Sequence, residues 1–401
     1  MSRNAPFPGD TLFFGALVLL IGATIRIGAS IYLPAMPLIG EELGISPAQM
    51  SATLSLYFII FASFILVAGA LSDAYGRKPL LITGMAVFLV GSSICALSGD
   101  FQTLMTGRAL QAFGASMIPG TLMATVRDAC SDRRVVMLMG WLTVLGGLFL
   151  VAAPVIGGIL THWLGWSANF WFLALFTILV LALTLWKIPE THTPQARTPL
   201  HLGDTLRRIA VMLRSADFSL VLLPVIALYA VQGAFLAAAP YIVMNRYGLG
   251  PMAFGMSNIA IVIGLFAGRW IGAAALPHTG PLRLYRYGGF AAIAVGLLFA
   301  LLGWGGLEGL GVFLTLSGLF ATIFGALAPI GMKSSLTAFR AHSGIAAALQ
   351  GMLLMGASAL GSAVVGLVMH HLQLDAETAF GFVTALLCLL TATGALTSHP
   401  R

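Results

Sequence analysis

The chain of 401 residues is 59% hydrophobic and only 8% charged, whereas an average soluble domain is about 25% charged. This composition, with a mean hydropathy of +0.98, excludes a water-soluble globular protein, because too few charges remain to cover its surface, and a disordered chain, which would be polar. The net charge of +7 would suit a nucleic-acid-binding protein, but the apolar composition favours a protein that crosses a membrane several times.

Twelve apolar segments, each long enough to cross a bilayer as a helix of roughly 20 residues, follow one another along the chain. The predicted helices lie near 11–36, 48–71, 79–97, 101–126, 134–162, 167–187, 217–243, 252–276, 282–304, 308–334, 343–371 and 376–396. The pattern predicts an all-α membrane protein with twelve transmembrane helices in two pseudo-symmetric six-helix bundles. The bundles comprise residues 1–187 and 217–401, and a polar cytoplasmic linker at 188–216 joins them.

The positions of the basic residues test this arrangement, since cytoplasmic loops of membrane proteins are rich in lysine and arginine. With both termini cytoplasmic, 16 of the 20 basic residues fall in inner loops and tails. They are Arg3, Arg77, Lys78, Arg127, Arg133, Arg134, Lys187, Arg197, Arg207, Arg208, Arg214, Arg283, Arg286, Lys333, Arg340 and Arg401. Arg246 falls in an outer loop, and Arg26, Arg108 and Arg269 fall within helices. We therefore expect a multi-pass membrane protein with both ends on the cytoplasmic side.

Catalytic and metal-binding motifs are absent from the sequence. A nucleophile elbow, a P-loop and a spaced zinc-binding set are all missing, and Cys95, Cys130 and Cys388 form no Cys-x-x-Cys pair. A membrane-embedded enzyme would need converging catalytic residues, so we expect no enzyme, no cofactor, no metal site and no nucleic-acid partner. The expected partner at this point is the lipid bilayer.

The loop after the second helix reads Gly69-Ala-Leu-Ser-Asp73-Ala-Tyr-Gly76-Arg77-Lys78. Gly76 permits a tight turn, and Gly69 is expected to let two helices approach closely. Asp73 can accept hydrogen bonds from an arginine or from a helix N-terminus, and the two basic residues anchor the loop at the inner surface. An ordinary basic loop is the alternative to a specialised motif at this position.

The fourth and fifth helices carry two further motifs. Helix 4 contains Arg108-Ala-Leu-Gln111, and because a buried arginine is expensive in a membrane, Arg108 is expected to face a cavity or a partner. Snorkelling to the interface is the alternative for this side chain. Helix 5 contains Pro154 followed by Gly157 and Gly158. The proline loosens the backbone hydrogen bonding, and the glycines let a neighbouring helix slide past.

Taken together, these three motifs resemble those of the major facilitator superfamily. Three further segments are similar to its Bcr/CflA subfamily of bicyclomycin and chloramphenicol resistance drug–proton antiporters: Tyr32-Leu-Pro-Ala-Met-Pro37, Thr125-Val-Arg-Asp128 and Ser343-Gly-Ile-Ala-Ala-Ala-Leu-Gln-Gly351. The resemblance implies the major facilitator fold, a location in the bacterial inner membrane, and export of a drug or small metabolite by alternating access, coupled to proton antiport. The expected partners are therefore a small-molecule substrate and protons. The resemblance also implies that the loop after the second helix is a charge latch, formed in one access state and broken in the other, which steadies the outward-open form from the inside.

One departure from the subfamily concerns proton coupling. Its members usually carry an aspartate where this chain has Ser30, and serine cannot carry a proton at physiological pH. No Asp or Glu lies deep inside a predicted helix, and Asp128, at the inner end of helix 4, is the best remaining candidate. The alternative function is therefore a facilitator or exchanger of an anionic small metabolite that lacks a proton-carrying carboxylate in helix 1.

Arg26 lies near the middle of helix 1 and shares a face with Ser30, four residues later. An arginine at the bilayer centre costs about 3 kcal/mol or more, so we expect it in the cavity wall, attracting an anionic or strongly polar substrate. Satisfaction by backbone carbonyls and water is the alternative. The full predicted substrate-binding set is Arg26, Ser30, Tyr57, Arg108, Gln111, Tyr229, Gln232, Tyr241, Asn258 and Gln350.

Two further expectations complete the set. Met252 and Met256 are spaced four apart and could bind a soft metal such as Cu(I), but flexible packing is the expected role of methionine here. A monomer is the default for this fold.

Overall fold

The computed structural model describes residues 11–193, 195, 197, 202–305, 309–337, 339, 343–371 and 376–397. Within these residues the regular secondary structure is helical and contains no β-strand. Eleven helices in this part of the chain are long and apolar enough to span a membrane, and a shorter apolar helix, Ala376–Leu389, follows them. The predicted all-α membrane fold is confirmed.

We number the membrane helices α1 to α12 and call α1–α6 the first half and α7–α12 the second half. The first half contains α1 (Leu12–Leu43), α2 (Pro47–Tyr75), α3 (Arg77–Ala96), α4 (Phe101–Ala129), α5 (Asp132–Leu164) and α6 (Ser167–Lys187). The second half contains α7 (Ala216–Tyr241), α8 (Pro251–Pro281), α9 (Arg283–Leu302), α10 (Leu310–Thr337), α11 (Ser343–His371) and α12 (Ala376–Thr397). A linker helix, Leu202–Arg214, precedes α7. Arg3, Arg340, Arg401 and the predicted start of the tenth helix lie outside the described residues.

Prolines interrupt α1 near its end. The regular helix Leu12–Ser30 gives way to a 3₁₀ turn at Leu33–Ala35 and then to a short helix, Met36–Leu43. Pro34 and Pro37 lack a backbone N–H and so cannot continue the hydrogen-bond ladder through this region. Helix 1 therefore runs beyond its predicted end at residue 36.

The turns between helices follow ordinary capping chemistry. A reciprocal capping box between Ser46 and Gln49 begins α2. Asp100 caps the N-terminus of α4 and accepts hydrogen bonds from the backbone N–H and the hydroxyl of Thr103. These bonds hold the pKa of Asp100 below its usual value. Gly76 joins α2 to α3 with a φ of 108°, in the region where only glycine is unstrained.

The buried core divides along the length of the bundle. We call the end at which α6 ends and α7 begins the linker end, and the opposite end the distal end. Toward the distal end one core cluster contains residues of both halves, such as Ile31 of α1 and Phe254 of α8. Toward the linker end, one cluster draws its buried residues only from the first half. Another draws them only from the second half and the linker helix. The described halves are therefore joined mainly through their distal portions.

Helices α2 and α11 make one of the distal contacts between the halves. The hydroxyl oxygens of Ser55 and Ser362 lie 2.6 Å apart in a buried hydrogen bond. Nearer the distal end, a Cβ atom at Gly366 would lie 2.9 Å from the Cβ of Ser51. Small side chains thus allow the two helices to pack closely at this end, as is common in membrane interfaces.

Helices α5 and α8 make a matching contact through glycine and proline. A methyl group at Gly158 would overlap the carbonyl oxygen of Pro251, and one at Gly255 would lie 2.6 Å from the carbonyl oxygen of Pro154. Each helix therefore presents a glycine to the backbone of the other. This reciprocal contact is what the pseudo-symmetry of the two halves leads us to expect for α5 and α8.

Candidate functional site

The Arg108 side chain is fully buried within the first half. Its Cζ atom lies 4.2 Å from the ring centroid of Tyr32 and 4.3 Å from that of Tyr57, so the guanidinium is held between two aromatic rings. One terminal nitrogen donates to the Gly28 carbonyl at 3.3 Å and to Gln111 Oε1 at 2.8 Å. Cation–π attraction thus stabilises the charge in the absence of a carboxylate, and Arg108 does not snorkel to the interface.

Polar atoms in this cluster remain without partners. Gln111 Nε2 donates to the Ser92 hydroxyl at 2.8 Å, which fixes the amide that orients Arg108. Arg108 Nε, its second terminal nitrogen and the Tyr57 hydroxyl have no hydrogen-bond partner among the described residues. Buried groups of this kind are normally paired, so the cluster can accept water or a polar ligand atom. Sequence reasoning named Arg108, Gln111 and Tyr57 but not Ser92, and it assigned Tyr32 only to a family motif.

Arg26 lies on the opposite, exposed side of α1, although it is near the middle of that helix. A Cβ atom built on Gly146 of α5 would lie 3.5 Å from both Nε and Cζ of Arg26. Tyr229 of α7 is within electrostatic reach of the same guanidinium. Arg26 therefore faces the space between α1, α5 and α7, which belong to different halves. Ser30, predicted as its neighbour, donates its hydroxyl to the Arg26 carbonyl at 3.3 Å.

The other predicted binding residues of the second half do not gather in one place. Gln350 Nε2 donates to the Ser335 hydroxyl at 2.7 Å, joining α11 to α10. Asn258 Nδ2 donates to the Phe254 carbonyl of its own helix at 2.9 Å. Gln232 is half-buried on α7. The Gln350 bond therefore holds two helices together, as polar groups commonly do in membranes, whereas the Asn258 bond stays within α8.

Tyr229 and Tyr241 lie at different depths on α7. Tyr229 packs its ring 5.0 Å from that of Phe324 on α10, close to the central space. Tyr241 is buried nearer the distal end, where it lines an open cavity of about 500 Å³ together with Arg246 and His370. The structure therefore separates three groups: the Arg108 cluster, the surroundings of Arg26, and the distal cavity.

The charged loop after α2 forms a compact network at the linker end. Arg77 Nε lies 3.1 Å from Asp128 Oδ2, and the same guanidinium also binds Asp73. The backbone N–H groups of Arg77 and Lys78 donate to the Glu190 carboxylate at 3.1 and 3.3 Å, which caps the N-terminus of α3. All these partners belong to the first half or to the segment directly after α6, and Asp73 remains 49% exposed.

Glycines of the predicted gate have unlike surroundings. No described atom lies within 4 Å of a Cβ built on Gly69, so the close helix approach expected there is wrong. A methyl group at Gly157 would overlap the Ile31 carbonyl oxygen of α1, within the first half, whereas Gly158 packs against α8 of the second half. The neighbouring glycines therefore serve two different interfaces, which follows from the 100° rotation between successive helical residues.

Comparison with known proteins agrees with this architecture. The sequence profile of the Major Facilitator Superfamily matches residues 18–362. The multidrug resistance protein MdtL of Klebsiella pneumoniae is 26% identical over 94% of this chain and 93% of that protein. Its counterpart in Escherichia coli O127:H6 is 29% identical over 94% of both.

Solved structures show the same fold at low sequence identity. A D-xylose–proton symporter matches with a TM-score of 0.71 at 12% identity, over 94% of this chain and 96% of the other. The human organic anion transporter MFSD10 (TETRAN) matches with a TM-score of 0.66 at 18% identity, over 95% of this chain and 100% of the other.

The fold and the matched profile define a multi-pass membrane transporter of small molecules rather than an enzyme. The chain belongs to the Major Facilitator Superfamily. Its membership of the Bcr/CflA subfamily stays a prediction.

Proposed function

We propose that this protein exports a drug-like compound or small metabolite across the bacterial inner membrane in exchange for protons. The observation that carries the proposal is the position of Arg26, which faces a space between the halves that are packed together at their distal ends. The similarity to multidrug resistance proteins along 94% of the chain supports export of drug-like cargo. The basic loops favour a cytoplasmic linker end. Because the halves are packed together at the opposite, distal end, the described state is open to the cytoplasm, where an exporter receives its cargo.

The two halves, residues 1–187 and 217–401, are the units that we propose rock about the central space, joined by the linker at 188–216. The ion pairs of Arg77 with Asp73 and Asp128 join helices of the first half to one another. We propose that this latch gains a contact to the second half when the protein is outward-open. We propose that a single chain carries out transport as a monomer, because each chain contains both halves.

Proton coupling requires a group that titrates, and we propose Asp128 for this role. Ser30 replaces the expected carboxylate, and the described acidic residues lie near helix ends. Asp128 is one-third exposed and pairs with Arg77, so its protonation would release the arginine from that contact. The alternative is a facilitator of an anionic metabolite, which needs no such group, but the similarity to multidrug resistance proteins favours antiport.

Proteoliposomes with an imposed pH gradient test the proposal. We expect uptake of ethidium, chloramphenicol or carboxyfluorescein to accelerate severalfold when the lumen is acidic, and to lose that acceleration when an ionophore collapses the gradient. Asp128→Asn is expected to lose the response to the gradient but keep exchange of probe, whereas the exposed Asp132→Asn serves as the matched control. Uptake that ignores the gradient would support facilitation, and absence of uptake of all three probes would contradict export.

A further inference from the structure

A second arginine faces the central space from the other half of the protein. Arg269 lies on α8, with one terminal nitrogen 3.7 Å from a Cβ built on Gly147, and its guanidinium lies 5.7 Å from the ring centroid of Phe266. Arg26 of the first half lies beside Gly146, the preceding residue of α5. The two arginines thus approach neighbouring glycines on adjacent faces of α5, one from α1 and the other from α8.

Tyr229 of α7 belongs to the same surroundings, because the charges of both guanidinium groups act on its hydroxyl. Successive Cα atoms are about 3.8 Å apart, so the reported contacts, with the two Cα–Cβ bonds included, place Cζ of Arg26 and the terminal nitrogen of Arg269 no more than about 14 Å from each other. Larger side chains at residues 146 and 147 would fill the space between the two guanidinium groups. Glycine at both positions leaves that space open.

Neither guanidinium has a counterion in the part of the chain that the structure describes. Within the described residues, Arg26 and Arg269 form no hydrogen bond or ion pair, and the acidic side chains lie near the ends of the membrane helices. Two like charges near the middle of a membrane protein repel each other and lose hydration. In contrast to Arg108, neither has an aromatic ring on both faces. An anion between them would relieve both penalties.

We propose that Arg26 and Arg269 form a clamp for an organic anion, which the two halves bind together. This inference rests on the proposed export function and names its substrate class: a small molecule with a carboxylate or similar acidic group on an aromatic or apolar body. The guanidinium groups supply bidentate donors for the acidic oxygens, and the rings of Phe266 and Tyr229 supply the apolar wall. Arg269 is therefore a specificity-determining residue that complements Arg26.

Because one arginine comes from each half, the bound anion links the halves across the space. Removing either group leaves a one-sided contact and should weaken binding, while removing both should abolish the preference for anions. A cationic ligand would gain nothing from either arginine and would be repelled by both.

Fluorescence anisotropy with purified full-length protein tests the clamp, using carboxyfluorescein as the anionic probe and ethidium as the cationic probe. We expect Arg26→Gln and Arg269→Gln each to raise the Kd for carboxyfluorescein at least fivefold, and the double variant to bind it more weakly than either. Arg269→Lys, which keeps the charge but loses the planar donor pair, should lie between. Ethidium binding should stay equal or become tighter in every variant.

Arg286→Gln, at an exposed position in the first turn of α9, removes the same charge away from the space and should change neither Kd. Unchanged carboxyfluorescein binding in Arg269→Gln, no saturable carboxyfluorescein binding by the unmodified protein, or equal loss of both probes in Arg269→Gln would overturn the clamp. Failure of export is read separately, from proton-driven uptake in proteoliposomes of chloramphenicol, which carries no charge for the clamp to bind or repel.

Discussion

At the scale of single residues, Arg26 and Arg108 of the first half have different surroundings within the membrane. Arg108 is fully buried between two tyrosine rings and bonded to Gln111. Arg26 is exposed to the central space and has no partner among the described residues. The first arrangement stabilises the fold, whereas the second leaves a cation free to meet a ligand.

Substitution should separate these roles. We expect Arg108→Lys to lower the thermal unfolding temperature by several degrees, because lysine keeps the charge but cannot stack as a plane between Tyr32 and Tyr57, and a desolvated cation–π contact contributes about 2 kcal/mol. Arg26→Ala should leave the unfolding temperature nearly unchanged and abolish carboxyfluorescein transport in proteoliposomes. Normal carboxyfluorescein transport by folded Arg26→Ala, or an unchanged unfolding temperature for Arg108→Lys, would contradict this division.

The sequence located the charged side chains in the helices but not all of their partners. Period and spacing place Arg26 and Arg108 at given depths, and intramembrane charges are functional candidates by default. The stacking of Tyr32 on Arg108, and the position of Arg269 opposite Arg26, depend on how distant helices pack. No local pattern encodes such contacts, so only the structure reveals them.

At the scale of helices, Gly157 and Gly158 connect α5 to two different neighbours. Gly157 packs against the backbone of α1 in its own half, and Gly158 packs against α8 in the other half. Hydropathy alone predicted these helices well, because a long apolar run has few other stable outcomes in a membrane. It could not predict which face of a helix meets which neighbour, as with the two faces of α5 and with the face of α2 at Gly69, where a built Cβ has no described atom within 4 Å.

Alanine substitutions in α5 test the two interfaces. Gly157→Ala should destabilise the protein by about 1–3 kcal/mol, since its methyl group would overlap the Ile31 carbonyl oxygen. Gly158→Ala should instead push α8 away and favour opening of the distal end, which an impermeant maleimide would report at a cysteine introduced at Ser55. Gly140→Ala, with no described atom within 4 Å, is the matched control and should gain up to about 1 kcal/mol from helix propensity.

Gly157→Ala and Gly158→Ala are expected to give different results in these two measurements. If Gly157→Ala and Gly158→Ala lowered the unfolding temperature equally and neither changed maleimide labelling, the assignment of one glycine to each interface would be refuted.

At the scale of the whole molecule, the buried core explains how the halves can move. One cluster joins them toward the distal end, and separate clusters hold each half together toward the linker end. Alternating access then requires breaking the distal contacts, such as that between Ser55 and Ser362, while each half keeps its own linker-end core.

A reversible cross-link at this contact tests the account most directly. The two hydroxyl oxygens are 2.6 Å apart, close to the geometry of a disulfide, so Ser55→Cys with Ser362→Cys should cross-link readily once the three natural cysteines are replaced by alanine. We predict that oxidation will lower proton-driven probe uptake in proteoliposomes to below about a tenth, that reduction will restore it, and that each single-cysteine variant will be unaffected. Undiminished uptake by fully cross-linked protein would contradict alternating access through the distal contact.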